Sequence, residues 1–154
     1  MLKNCRDAVW FEDYAVGDEF ESAPVTFTEA DIIDFGKRYD PQPFHIDEQA
    51  AKASPFGGLI ASGSQILPFV WGAITAPGFL NGRTLGAGSS ALEFKRPVRP
   101  GDTLIAISRV LATRRSSTRP DRGYLRFLSE TTNQAGDLVV TLSQEQIIQR
   151  RPAP

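Results

Sequence analysis

His45 is the single histidine of the 154-residue chain, and Asp40 stands five residues before it with Pro41 and Pro43 between them. A carboxylate and an imidazole aimed at one water can act on it as base and acid. Histidine suits that work because its ordinary pKa lies near 6.5. Regular structure will not bring the two together. On a helix they would sit about 140° apart around the axis, and on a strand about 17 Å apart. The prolines fix their own φ and push the preceding residues to extended backbone, which predicts a stiff, curved loop that can direct both side chains to one point. Ser62-Gly63 is a second candidate. Ser62 with Gln65 three residues on is a capping-box signature, and the first turn of a helix offers unpaired N–H groups at its positive end. Gly63 has no side chain, so a ligand oxygen could approach its amide as an oxyanion hole requires. Taken alone, His45 also fits a packed residue, and Ser62-Gln65 a helix cap with no ligand.

The elements that must hold these residues can be read from patterning. Thr28 with Asp31 marks a helix start, and Ile32, Ile33, Phe35 and Tyr39 share one helical face. The Asp40–His45 run ends that helix, and a short helix from about Asp47 to Ala53 is expected with Asp47 as its cap. Ser54-Pro55-Phe56-Gly57-Gly58 is a loop by composition. Ile66 to Ile74 is apolar on nearly every side, which predicts a helix buried all round. Pro68 should bend that helix or shift its true first turn toward residue 67. Beyond Pro77-Gly78 the period changes to two at Ala91–Arg96, Thr103–Ser108, Tyr124–Thr132 and Leu138–Ile148, with turns at Pro100-Gly101-Asp102, Pro120–Gly123 and Gln134–Asp137. With a candidate strand near Phe20–Phe27 this makes about five strands, and the short later connections predict antiparallel neighbours. An apolar helix surrounded by a curved antiparallel sheet gives both a dry face, an α+β architecture in one domain spanning residues 1–154. An open sheet edge commonly pairs with a second copy, so a homodimer or higher homo-oligomer is expected.

Composition removes several classes. The chain is 41% hydrophobic and 23% charged, too apolar for a largely disordered chain. No apolar run reaches transmembrane length. Met1–Asp13 carries acids and no apolar core of a leader, so a cytoplasmic location is expected. One cysteine, Cys5, and one histidine leave no basis for a Cys- or His-rich metal site; carboxylates alone could hold magnesium or calcium, but no calcium-loop spacing is present, and no metal is expected. Net charge is −1, so bulk attraction to nucleic acid is not expected. Charge is divided unevenly: residues 1–54 hold twelve acids and five bases, and residues 55–154 six acids and twelve bases. The stretch Lys95–Arg126 holds nine bases and two acids. Such a patch suits a phosphorylated small ligand, or is simply a solvated, Arg-rich face. As a nucleic-acid surface it is poor in aromatic residues, with Tyr124 and Phe127 alone interleaved.

Other motifs carry less. Gly86-Ala87-Gly88-Ser89-Ser90-Ala91 matches a loose dinucleotide pattern, yet a strand rather than a helix should follow it. Ser62 lacks the surroundings of a nucleophile elbow. Phe69 and Trp71 fall inside the apolar helix and read as core.

Tyr39-Asp40-Pro41-Gln42-Pro43-Phe44-His45-Ile46-Asp47 followed by Phe56-Gly57-Gly58-Leu59-Ile60-Ala61-Ser62-Gly63 resembles the MaoC-like dehydratases, a family that includes (R)-specific enoyl-CoA hydratases. Phe94-Lys95-Arg96-Pro97-Val98-Arg99-Pro100-Gly101-Asp102 and Asn133–Gly136 extend the resemblance, which runs from about Asp18 to Arg151. It implies the hotdog fold, a long antiparallel sheet wrapped around a central helix, usually in a dimer. It implies that Asp40 and His45 hold the water added across an enoyl thioester, and that the Gly63 N–H receives the thioester oxygen. Many members carry Asn at the position of Gln42 and His at that of Ser62.

The function so implied is a hydro-lyase that reversibly adds water to a trans-2-enoyl thioester of CoA or a carrier protein and gives the (R)-3-hydroxyacyl product. Phe44, Ser62, Ser64, Lys95, Arg96 and Arg99 are expected to contact substrate, the three cations being candidates for the CoA phosphates. No cofactor beyond the CoA of the substrate is expected. A thioesterase on the same fold usually needs an acid on the central helix, and residues 62–76 contain none. A non-catalytic acyl-thioester binding module is the other alternative, and it would not need Asp40 and His45 together.

Overall fold

The computed structural model describes residues 2–80 and 82–152. Two short 3-10 turns, Cys5–Asp7 and Phe11–Asp13, precede strands β1 (Glu19–Glu21) and β2 (Val25–Thr26). Helices α1 (Glu29–Tyr39), α2 (Pro43–Ile46), α3 (Glu48–Ala53) and α4 (Gly63–Thr75) follow. Four long strands complete the chain: β3 (Thr84–Phe94), β4 (Thr103–Arg115), β5 (Arg122–Thr132) and β6 (Leu138–Gln149). They form one antiparallel sheet in the order β1-β4-β5-β6-β3, with β2 also pairing to β4. Buried residues alternate along β5 and β6 and meet Ile66, Val70 and Ile74 of α4 in one core. This is the expected α+β arrangement of a sheet curved around a helix.

The expected single strand near Phe20–Phe27 is two pieces, which makes six strands rather than about five. The break has a local cause. The Ser22 hydroxyl accepts the Ala106 N–H, a role a ladder gives to a carbonyl. Ala23 N–H then turns away to the Ala73 carbonyl of α4, and Pro24 has no N–H to donate. The Gly86–Ala91 motif lies inside β3 and pairs with β6, so no helix follows it. That strand begins earlier than its alternation suggests and stops at Phe94, where Pro97 and Pro100 end regular pairing.

Helix α4 begins at Gly63 with Ser62 as its cap. Pro68 sits within it rather than at its start. Pro68 and Ser64 are both exposed residues, and Pro68 has no N–H to donate to the Ser64 carbonyl one turn back. The expectation of burial all round is corrected here. One face of α4 is buried, while Leu67 is 36% exposed and Pro68 and Gly72 are exposed. Strand β3 is likewise open along its length, and Phe94 is 54% exposed. No helix among the described residues is long and apolar enough to cross a membrane.

Candidate active site

Asp40 is the residue that ends α1, and His45 lies in the single turn of α2. Thr28 starts α1 by accepting the Asp31 N–H, and Pro43 starts α2 at a position where a missing N–H costs nothing. The connection Asp40–Gln42 is only a bend between them, with Gln42 N–H donating to the Asp40 carbonyl. Gly36 lets the two helices close on each other. A methyl group there would lie 2.8 Å from Ile46 Cγ2 and 3.0 Å from the His45 carbonyl oxygen. The expected loop is a bend at Asp40–Gln42 followed by one helical turn that Pro43 starts, and together they direct the two side chains toward one point. His45 Nε2 is 3.4 Å from Asp40 Oδ2.

His45 is buried at 5% exposure, and its Nδ1 is 2.7 Å from the Ile60 carbonyl oxygen. That carbonyl can only accept, so Nδ1 carries a hydrogen and Nε2 is the nitrogen left to exchange a proton beside Asp40. Asp40 is held from the other side. The fully buried Ser62 donates its hydroxyl to Asp40 Oδ2 at 2.6 Å and accepts the Ser64 N–H at 3.2 Å. One serine thus caps α4 and fixes the carboxylate. Asp47 caps α3 through the Ala50 N–H and anchors the far end of the His45 turn.

Gly63 opens α4 immediately after that cap. Its N–H has no acceptor among the described residues, whereas Gln65 and Ile66 donate to the Ser62 carbonyl. Two cavities meet at this glycine. One, of about 310 Å³, lies between His45, Phe56, Ile60, Phe94 and Val98. The other, of about 620 Å³, is lined by Asp40, Ser62, Ser64, Leu67 and Leu92. Phe94 borders both, and its ring lies over Gly63 so closely that a methyl there would be 3.0 Å from Cζ. A carboxylate, an imidazole and an unpaired amide at a helix N-terminus so share one junction, which can polarise an oxygen while a proton is moved beside it.

The remaining expected contacts divide. Ser64 lines the larger cavity. Phe44 is half-buried and packs its ring on His45 and on Phe56 (centroids 4.6 and 5.0 Å). Lys95 and Arg96 line the smaller cavity, where Lys95 pairs with Glu93 and Arg96 with Asp137. Arg99 does not line it; its guanidinium donates to the Phe56 carbonyl and braces the loop that carries that ring. Phe56 and Phe94 were not singled out by sequence reasoning. Phe56 stands directly before Gly57-Gly58, a signal the sequence carried, whereas Phe94 has no glycine beside it in the chain and reaches Gly63 only through the fold.

The family profile described as "MaoC like domain" matches residues 12–123. This chain belongs to the MaoC-like family. It is 31% identical over 136 residues to the (R)-specific enoyl-CoA hydratase of Rhodospirillum rubrum, covering 85% of each chain. A MaoC-like dehydratase of known structure from the same organism superposes with a TM-score of 0.88 at 38% identity, covering 94% of this chain and 99% of that one. The hotdog fold is shared with a double-hotdog protein of Mycobacterium tuberculosis (TM-score 0.79, 19% identity, 97% of this chain and 46% of that one).

Proposed function

We propose that this MaoC-like protein adds water reversibly to the double bond of a trans-2-enoyl thioester, most simply an acyl-CoA, to form the (R)-3-hydroxyacyl thioester. The observation that carries this reading is the shared junction of Asp40, His45 and the unpaired Gly63 N–H between two cavities. The (R) outcome rests on likeness to the Rhodospirillum rubrum hydratase.

The reaction places the water oxygen on C3 and a proton on C2. As the C3–O bond forms, the C2–C3 π electrons shift and negative charge collects on the thioester oxygen. The Gly63 N–H, at the positive end of α4, would donate to that oxygen and stabilise the charge; one such donor is worth about 3–4 kcal/mol. Asp40 Oδ2 and His45 Nε2 lie 3.4 Å apart, so one water can be held by both. One of the pair removes its proton and the other returns a proton to C2, the two acting as a coupled unit. Lys95 and Arg96, at the mouth of the smaller cavity, would meet the phosphates of CoA. The open β3 edge and the exposed side of α4 would be covered by a second copy of the chain, a homodimer, since an unpaired apolar edge invites strand addition.

Crotonyl-CoA hydration, followed by loss of enoyl absorbance, tests the reading. Turnover should fall about 10²–10⁴-fold in Asp40→Asn and in His45→Gln. Wild-type turnover that survives both substitutions unchanged would end the proposal.

A further inference from the structure

Asp40 is poorly held by its own element. It is the residue that ends α1, the negative end of a helix, where a carboxylate is disfavoured. Its side chain is 29% exposed and borders the larger cavity. His45 Nε2 lies 3.4 Å from Oδ2, but a neutral imidazole with its hydrogen on Nδ1 has none to donate from Nε2. Among the described residues one group donates to the Asp40 carboxylate, the Ser62 hydroxyl, at 2.6 Å from Oδ2. That bond fastens the carboxylate to the start of α4, the positive end of a helix.

Ser62 has nothing left for another task. It stands at the wall of the larger cavity, yet it is fully buried. Its hydroxyl carries one proton. The Ser64 N–H donates to the hydroxyl oxygen at 3.2 Å, so one lone pair serves the cap and the proton goes to Asp40. The Ser62 carbonyl accepts from Gln65 and Ile66. A hydroxyl engaged on both sides has no proton for a substrate oxygen, but it fixes how the carboxylate is turned. Oδ2, the oxygen it holds, is also the one that stands 3.4 Å from His45 Nε2.

We propose that Ser62 is a positioning residue for the reaction, acting through Asp40 and not on the substrate: its hydroxyl locks the carboxylate in the orientation that faces His45. The inference rests on the hydratase reading for the reaction, and adds a residue that touches neither the water nor the thioester. A reacting group displaced by about 1 Å can cost about 10²-fold in rate, so a carboxylate free to swing into the larger cavity would be a poor partner for the imidazole.

The test removes the hydroxyl and keeps the cap. Glycine is an acceptable residue at a helix start, so Ser62→Gly should fold, as circular dichroism checks. Its kcat on crotonyl-CoA should fall about 10- to 100-fold with KM within about twofold of wild type. In the Asp40→Asn protein the same change should cost less than about twofold, because there is no carboxylate left to position. Ser62→Cys, which fills the same space with a weak donor, carries the same two measurements if the glycine variant does not fold. An unchanged kcat overturns the proposal. A loss confined to KM overturns it too, since it would make Ser62 a substrate contact, and so does an equal loss with and without the Asp40 carboxylate. Crystal structures of wild type and variant read the point without turnover. The Asp40 carboxylate should leave its place beside His45 in the variant, and an unmoved carboxylate overturns the proposal. A wild type that does not hydrate crotonyl-CoA would sink the hydratase reading and leave this crystallographic comparison to decide the role of Ser62.

Discussion

The two ends of α4 are built on opposite principles. At its C-terminal end the chain turns through Phe79 and Leu80, 2% and 1% exposed, beneath the rings of Tyr14 and Phe20. Polar groups there are paired: the buried Tyr14 hydroxyl donates to the Ala8 carbonyl and accepts the Leu80 N–H. Leu80 is held at φ 68, an unusual conformation for a residue with a side chain, within this packing. At the N-terminal end the Gly63 N–H has no acceptor among the described residues, two cavities meet, and Phe94 stands half in solvent. One end is filled and satisfied, while the other is left open and unsatisfied. The lesson is that a short helix can be anchored firmly enough at one end to leave donors free at the other.

The strongest way to break this contrast is to remove the chemistry without touching the anchor. Asp40→Asn should cut turnover by about 10²–10⁴-fold, while the Ser62 hydroxyl still finds an oxygen to donate to. Its melting midpoint should stay within about 4 °C of wild type by calorimetry. A large loss of stability would mean that the two ends are not separable.

The converse variant is Phe20→Ala. Phe20 is 1% exposed and packs on Tyr14 and Phe79 at centroid distances of 5.7 and 4.9 Å. Truncation should cost about 3–5 kcal/mol in denaturant unfolding. Turnover per folded molecule, measured well below the melting range, should change little. A matching collapse in turnover would show that the sealed end also shapes the site.

Gly36→Ala sharpens the comparison because it sits where stability and geometry overlap. The added methyl would press on Ile46 Cγ2 and on the His45 backbone, and backbone yields less readily than a side-chain tip. The α2 turn should shift and carry His45 away from Asp40. The expected cost is about 1–3 kcal/mol in stability and about tenfold or more in turnover. A loss of stability with full activity would show that the 3.4 Å approach is not needed.

What the sequence made legible follows the range of the interactions involved. The bend at Asp40–His45 is written in two prolines, and caps at Thr28, Asp47 and Ser62 are written in single hydroxyls or carboxylates; each is a local effect. The strand periods of β4 to β6 were legible for the same reason. Three features were not, because each depends on residues far apart in the chain. Ser62 holds Asp40 across 22 positions. Phe94 covers Gly63 from a strand that begins after α4 has ended. The open side of α4 could not be told from its buried side, since both are apolar and the sheet decides which is covered. The break at Ser22–Pro24 belongs with these, as it needs the Ala73 carbonyl of α4.

The smallest expected effect concerns the anchored side alone. Asp13 accepts the Val9 and Trp10 N–H groups and pairs with Arg151 at 2.6 Å, fastening the C-terminal segment to the start of the chain. Burial pushes its pKa up, but the Trp10 and Val9 amides and the Arg151 guanidinium outweigh that and leave it below the ordinary carboxylate value. A carboxylate lowered in the folded state contributes stability that is present above its unfolded pKa, near 4, and is lost as pH falls through the folded value. The melting midpoint should therefore not respond to Asp13 between pH 7 and about pH 5. Below about pH 4, wild type should lose the advantage it holds over Asp13→Asn, about 1–3 °C for a partly exposed pair. Because Asp13 is remote from Asp40 and His45 in the fold, crotonyl-CoA turnover at neutral pH should be the same in both proteins. A gap between the two melting curves that persists undiminished at acid pH would assign the effect to packing rather than charge.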